Sequence, residues 1–162
     1  MCSSDLMKGA PGIAAEPAYP SRIIRIVVPF TPGGPQDVNA RLIGQKLTEA
    51  WGQAVVVENR AAAGGIVATE YVAKAAPDGY TLLMGNPTPL TIAPSLYDKL
   101  AYDPQRQFAP VILATQTASV FVVHPSVPAK SIRELVALAK TKPGRLIYGT
   151  SGIGSTGHLT IE

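Results

Sequence analysis

A β-branched run, Ile23-Ile24-Arg25-Ile26-Val27-Val28, stops at Pro29, crosses Gly33-Gly34 and gives way to a helical pattern; a second such run, Ala54-Val55-Val56-Val57, follows. Two strands separated by one helix leave few folds open. They must lie parallel, because a crossover of this length carries the chain back to its starting edge, and the helix must cover one face of the sheet. The intervening pattern is clear. Ala40, Ile43, Leu47, Ala50 and Trp51 recur at helical spacing, with Arg41, Gln45, Thr48 and Glu49 on the opposite face. Asp37 is placed as the N-cap and Gly52 as the C-terminal glycine.

The unit repeats. A helical pattern from Ile66 to Ala76 is stopped by Pro77-Asp78-Gly79, and Tyr80-Thr81-Leu82-Leu83-Met84 reads as a third strand. Phe108 to Ala114 and Val120 to Val123 are further short apolar runs. Ser131-Ile132-Arg133-Glu134 has the form of a capping box, followed by an apolar helical face of Ile132, Leu135, Val136 and Ala139 that ends at Pro143-Gly144. Arg145 to Tyr148 is predicted as another strand, and His158 to Glu162 as the opening of a helix without C-terminal punctuation, so the chain reads as the N-terminal part of a longer protein. Alternating strands and helices predict an α/β protein with mainly parallel sheets, in which ligands gather at the carboxyl ends of the strands.

Composition narrows the function classes. Only 15% of the 162 residues are charged and 46% are hydrophobic, a core-forming balance. The longest apolar run, Leu135 to Ala139, is far short of the roughly 20 residues of a membrane-spanning helix. The net charge of +3 arises from basic residues scattered from Lys8 to Arg145, so no nucleic-acid partner is expected. Cys2 is the only cysteine and His124 and His158 the only histidines, without zinc-type spacing; no metal and no covalent cofactor is expected. Residues 1–20 lack periodicity and read as a leader remnant or disordered tail. Ala14-Ala15-Glu16-Pro17-Ala18 resembles the end of a secretory leader, but the apolar middle of such a leader is missing.

Loops between strand and helix are where this fold class places chemistry. In Pro29 to Asp37, the adjacent glycines admit a ligand close to the backbone, and the following helix offers unpaired N–H groups at its positive end. That suits a carboxylate or phosphate; the plain alternative is a tight turn capped by Asp37. Gly149 to His158 is a second such loop. Its Gly152-x-Gly154-x-x-Gly157 is a literal dinucleotide fingerprint, which keeps a dinucleotide-dependent enzyme as the alternative function, although the loop is not in the first βαβ unit as that fingerprint normally is. Ser155 stands where a P-loop needs lysine, and Ile153 where a serine-hydrolase elbow around Ser151 needs glycine, so both of those readings fail. What remains is a set of backbone and hydroxyl donors, from Thr150, Ser151, Ser155 and Thr156, with no evident general base. His158 and Asp37 read more naturally as capping or packing groups than as an acid or base. Gly85 to Pro89, with Asn86 and Thr88, is a third candidate loop, and Ala63-Gly64-Gly65 a fourth.

Taken in order, these pieces resemble the Bug family of extracytoplasmic solute receptors, the substrate-binding proteins of tripartite tricarboxylate transporters. The matching residues are Tyr19-Pro20-Ser21-Arg22, Ile26 to Asp37 with Ala40-Arg41, Val55-Val56-Val57-Glu58-Asn59-Arg60, and Ala75 to Leu83. They continue through Pro94-Ser95-Leu96-Tyr97, Tyr102-Asp103-Pro104, Phe108 to Val111, and Tyr148-Gly149-x-x-Gly152-x-Gly154-x-x-x-His158-Leu159. The resemblance implies a two-domain Venus flytrap, periplasmic-binding-protein-like, with helices on both faces of mainly parallel sheets, of which this chain covers about the first half. Residues 21–115 would be the first part of domain one and residues 116–162 the start of domain two. It also implies a non-enzymatic periplasmic receptor whose partners are a small carboxylate and the membrane subunits of the transporter. Carried over by position, Phe30, Gly33, Gly34, Gln36 and Asp37 line one jaw of the cleft, and Ser151, Gly154, Ser155, Thr156 and His158 the other. Some positions depart from the family pattern: Ala61-Ala62 replaces a frequent Pro-Gly, Pro89-Leu90 replaces polar residues, and Gly157 replaces a frequent threonine. The last two remove hydrogen-bonding side chains near the expected cleft, so the ligand preference is not copied from a relative.

Overall fold

The computed structural model describes residues 18–150 and 155–162. The leader-like residues before Ala18, with Ser151, Gly152, Ile153 and Gly154, lie outside the described residues. Strand β1 (Ile24–Val28) is followed by helix α1 (Pro35–Trp51), β2 (Val55–Asn59), a 3-10 turn (Ala63–Gly65), α2 (Ile66–Ala73) and β3 (Thr81–Leu83). A π-helical turn (Thr88–Ile92) then runs into the short α3 (Ala93–Leu96), and α4 (Ile132–Thr141) and α5 (Thr156–Ile161) come later in the chain.

The strands form a parallel sheet in the order β2-β1-β3, with Ile26 of β1 opposite Val57 on one side and Leu82 on the other. This order has a geometric consequence. The crossover through α1 runs to one side of β1 and the crossover through α2 returns past it, so right-handed connections put α1 and α2 on opposite faces. Alternation along β1 fits both contacts. Ile26 and Val28 pack with Ala40, Ile43, Val55, Val57, Leu82 and Met84, while Val27 is fully buried on the opposite side. Full burial of a Val or Ile contributes roughly 1.5–3 kcal/mol before entropy is counted.

Local sequence explains most element ends and corrects others. Helix α1 starts two residues before Asp37: Gly34 is the N-cap and Pro35 opens the first turn, where its fixed φ suits the helix and its missing N–H costs nothing. Gly52 ends it in the left-handed region, φ 68°. Helix α2 ends at Ala73, short of the predicted Ala76, because Pro77 disfavours helical geometry at the residue before it. Helical turns run from Thr88 to Leu96, where the sequence pattern marked only a candidate loop at Gly85 to Pro89; Pro89 and Pro94 both sit in first-turn positions, which tolerate proline. At the other end of the sheet, Tyr19 packs edge-on against Trp51 and Tyr80 and donates a 2.8 Å hydrogen bond to the Gly79 carbonyl, which docks the residues just before β1.

The later segment differs from expectation. The predicted strand Arg145 to Tyr148 is not a strand, and the apolar runs at 108–114 and 120–123 lie in neither helix nor strand among the described residues. Val111, Val122 and Ile147 are 82%, 90% and 96% exposed. A strand exists only through its neighbours' hydrogen bonds, and pattern alone does not supply a neighbour. Helix α4 forms as predicted from its capping box: the Ser131 hydroxyl accepts from the Glu134 N–H, and Glu134 accepts from the Lys130 N–H, one residue before the cap. No residue of α4 is buried. No described helix is long and apolar enough to cross a membrane.

Candidate functional site

Strand order locates the candidate site. β1 and β3 are neighbours in the sheet and run parallel, so the loops that follow them emerge side by side beyond the strands' carboxyl ends, the usual ligand position in open α/β sheets. These are the loop after β1, from Pro29 to Gly34, and the loop after β3, from Gly85 to Thr88.

The first loop is held from inside. Pro29 is buried and Phe30 half-buried, whereas Thr31, Pro32 and Gly33 are exposed. Gly33 has φ 83°, which turns its N–H back to donate to Asp37 Oδ2 at 2.9 Å. Asp37 therefore anchors the loop from the first turn of α1 and is not its cap. Its buried carboxylate also accepts from Arg41 Nε at 3.0 Å, and its second oxygen, which lacks an aligned donor, faces Arg41 Nη2 at 3.0 Å. The Arg41 hydrogen bond, then that from Gly33, hold the Asp37 pKa down to about 2 from 3.8. Arg41 Nη2 further donates to Asn59 Oδ1 at 3.1 Å, and Asn59 Nδ2 donates to the Phe30 carbonyl at 3.1 Å.

These bonds determine what the loop can offer a ligand. The Gly33 N–H and Phe30 carbonyl are already engaged, Pro35 has no N–H, and Val38 N–H bonds the Gly34 carbonyl. The N–H groups of Gly34, Gln36 and Asp37 remain at the positive end of α1, and the half-buried Gln36 stands beside them. The loop's one carboxylate is neutralised internally.

The other loops brace this one. Gly65, φ 92°, sits so close to Pro29 that a Cβ there would lie 2.9 Å from the Pro29 Cβ and 3.3 Å from Pro89 Cγ. Thr69 donates to the Gly65 carbonyl at 2.9 Å, and the buried Tyr102 hydroxyl donates to the Pro89 carbonyl at 2.6 Å. Burial, and then the nearby Glu70, push the Tyr102 hydroxyl pKa up. In the loop after β3, the Asn86 side chain accepts from the Thr88 N–H at 2.9 Å, and the Thr88 methyl lies 3.6 Å from where a Cβ on Gly64 would be. Ala63, Gly64, Thr88, Ile92 and Tyr97 line a small recess between these two loops.

On the second proposed jaw, Ser155 rather than His158 caps α5: its hydroxyl accepts from the His158 N–H at 3.2 Å. A capping serine uses its oxygen as acceptor and keeps its O–H as a donor. Thr156 opens the helix, and Ser151 and Gly154 fall outside the described residues. The structure thus gathers Phe30, Gly33, Gly34, Gln36 and Asp37 on one loop with Asn86 and Thr88 on its neighbour, whereas α5 forms no packed face with the sheet elements. Among the described residues, no group of His, Cys, Asp and Glu could hold a metal. Arg41 and Asn59 were not singled out as site residues from sequence. The i, i+4 spacing of Asp37 and Arg41 was a usable signal, but Asn59 joins them only through the pairing of Val28 with Asn59 across β1 and β2.

Comparison with known proteins adds an independent line. Residues 39–162 match the family model described as tripartite tricarboxylate transporter family receptor, TctC, a span that includes Gly149 to His158 and begins just after the Pro29 to Asp37 loop. A UPF0065 protein of Bordetella pertussis is 43% identical over 146 residues, covering 89% of this chain and 44% of the relative. BugT of the same organism is 39% identical, covering 93% and 48%. Among solved structures, MatC from Rhodopseudomonas palustris with bound malate superposes with a TM-score of 0.73 at 37% identity, covering 85% of this chain and 47% of that one. An R. palustris protein solved with adipate gives 0.69 at 39% identity, covering 88% and 48%. The chain spans about half the length of the curated relatives it matches.

Proposed function

Because the chain belongs to the tripartite tricarboxylate transporter receptor family, TctC, we propose that the protein it forms part of is a non-enzymatic periplasmic receptor. It captures a small dicarboxylate, tricarboxylate or similar acid in an interdomain cleft and delivers it to the membrane subunits of a tripartite transporter. Residues 21–115 belong to the first domain and residues 116–162 open the second. One observation carries the reading: the loop after β1 offers the N–H groups at the start of α1, while Arg41 neutralises the one carboxylate that would repel an anion. On the opposite jaw, Ser151, Gly154, Ser155, Thr156 and His158 supply the facing donors, and Asn86 and Thr88 border the first jaw.

The chemistry fits cargo handling. Backbone amides and hydroxyls bind a carboxylate without the bidentate arginine clamp that would slow release. The bound malate and adipate of the two R. palustris proteins support a small diacid as the ligand class. Calorimetry on the full-length protein with malate, adipate and NAD tests this reading: binding of a diacid is expected, and binding of NAD without any carboxylate would overturn it.

A further inference from the structure

We propose that Arg41 is a positioning residue for the ligand loop: by joining Asp37 of α1 to Asn59 of β2, it holds Phe30 to Gly34 in the shape that presents the N–H groups at the start of α1. The inference rests on the receptor reading above. The exposed loop residues Thr31, Pro32 and Gly33 have no apolar anchor of their own. The loop's shape depends instead on two hydrogen bonds from different elements, Gly33 N–H to Asp37 at 2.9 Å and Asn59 Nδ2 to the Phe30 carbonyl at 3.1 Å. Arg41 contacts both anchors. Its Nε and Nη2 meet the Asp37 carboxylate at 3.0 Å each, and Nη2 also reaches Asn59 Oδ1 at 3.1 Å.

That last contact also orients the Asn59 amide. An arginine can only donate, so the Asn59 side chain must present its oxygen to Arg41, which leaves its NH2 group facing the Phe30 carbonyl. Without the guanidinium the amide is held by the Phe30 carbonyl alone, and it can swing away toward solvent and release the loop. A lysine supplies charge to Asp37 but lacks the planar fork that spans two partners. Loss of Arg41 has a second effect, since it leaves a buried carboxylate unpaired beneath the loop that receives an anion.

The test uses the full-length protein as wild type, Arg41→Met, Arg41→Lys, the double variant Arg41→Met with Asp37→Asn, and Arg22→Met. Arg22 pairs with Asp78 at 2.6 Å and lies over the Tyr80 ring at the opposite end of the sheet, so its loss controls for stability alone. Hydrogen exchange of the Gly33 amide in ligand-free protein reads the clasp without reference to any ligand. It is expected to quicken at least tenfold in Arg41→Met and to stay unchanged in Arg22→Met; unchanged exchange in Arg41→Met would overturn the clasp. Titration with malate and adipate, at a temperature where every variant is folded, reads its consequence. The acid bound by wild type is expected to bind about tenfold more weakly to Arg41→Met, a loss of about 1.4 kcal/mol, with Arg41→Lys in between and Arg22→Met unaffected. Wild-type affinity in the double variant would show that charge alone mattered and overturn the positioning role. Quickened exchange with unchanged affinity would do the same. A wild-type protein that bound no carboxylate would overturn the receptor reading instead, and the exchange result would still decide whether the clasp exists.

Discussion

The buried Asp37 carboxylate accepts from the Gly33 N–H at 2.9 Å and from Arg41 Nε at 3.0 Å, so a single side chain ties the ligand loop to helix α1. Sequence marked Asp37 as a cap or a cleft-lining group; the structure turns its carboxylate inward to Gly33 and Arg41. With a folded pKa of about 2 against 3.8, ionised Asp37 stabilises the fold fully above the unfolded value, and that contribution is lost as the pH falls from about 4 toward about 2. Asp37→Asn is therefore expected to lower stability at neutral pH and to flatten the acid-unfolding profile between about pH 4 and pH 2; parallel profiles for variant and wild type would contradict this assignment. The glycines, the proline and the aspartate of this loop were legible because backbone geometry restricts which residues can stand there. How the carboxylate's partner Arg41 is tied to the loop was not, because that runs through Asn59, which is 22 positions from Asp37 and is brought close by strand register.

At the level of elements, the βαβ units were readable from period alone, as were the Gly52 terminus and the Ser131 capping box. The helical turns after β3 were hidden because proline signals both a break and a beginning. Packing between loops is a further layer that pattern does not carry. Gly65→Ala would press a methyl group to 2.9 Å from Pro29 and force a side chain onto φ 92°, so it is expected to destabilise the protein by about 2 kcal/mol or more and to move the ligand loop through Pro29. Thermal melts read the first effect, and a variant as stable as wild type would show that Pro29 and Pro89 can yield. Tyr102→Phe removes the donor to the Pro89 carbonyl and leaves that acceptor buried, at an expected cost of about 1–3 kcal/mol in denaturant titration.

For the whole molecule, the contrast between the two parts of the chain is the dominant fact. Ile24, Val27 and Val28 of β1 are fully buried, whereas Val111, Ile112, Leu113, Val120 and Val122 are at least 79% exposed. An apolar surface of this kind calls for a cover, and the matched relatives are about twice as long as this chain. The 162-residue polypeptide alone is expected to bind a hydrophobic dye and to aggregate on warming, and the full-length protein to do neither; a sharp, reversible thermal transition of the short polypeptide would contradict this. The segments were visible in sequence as short apolar runs, but strand pairing is a property of the assembled sheet. The central claim, that the protein carries a small acid between donor-rich loops, is tested most directly by native mass spectrometry of the full-length protein purified gently from a bacterial periplasm. The account predicts a small acid lost on denaturation, its mass naming the cargo. A nucleotide-sized adduct, in a protein that then takes up no carboxylate, would contradict it.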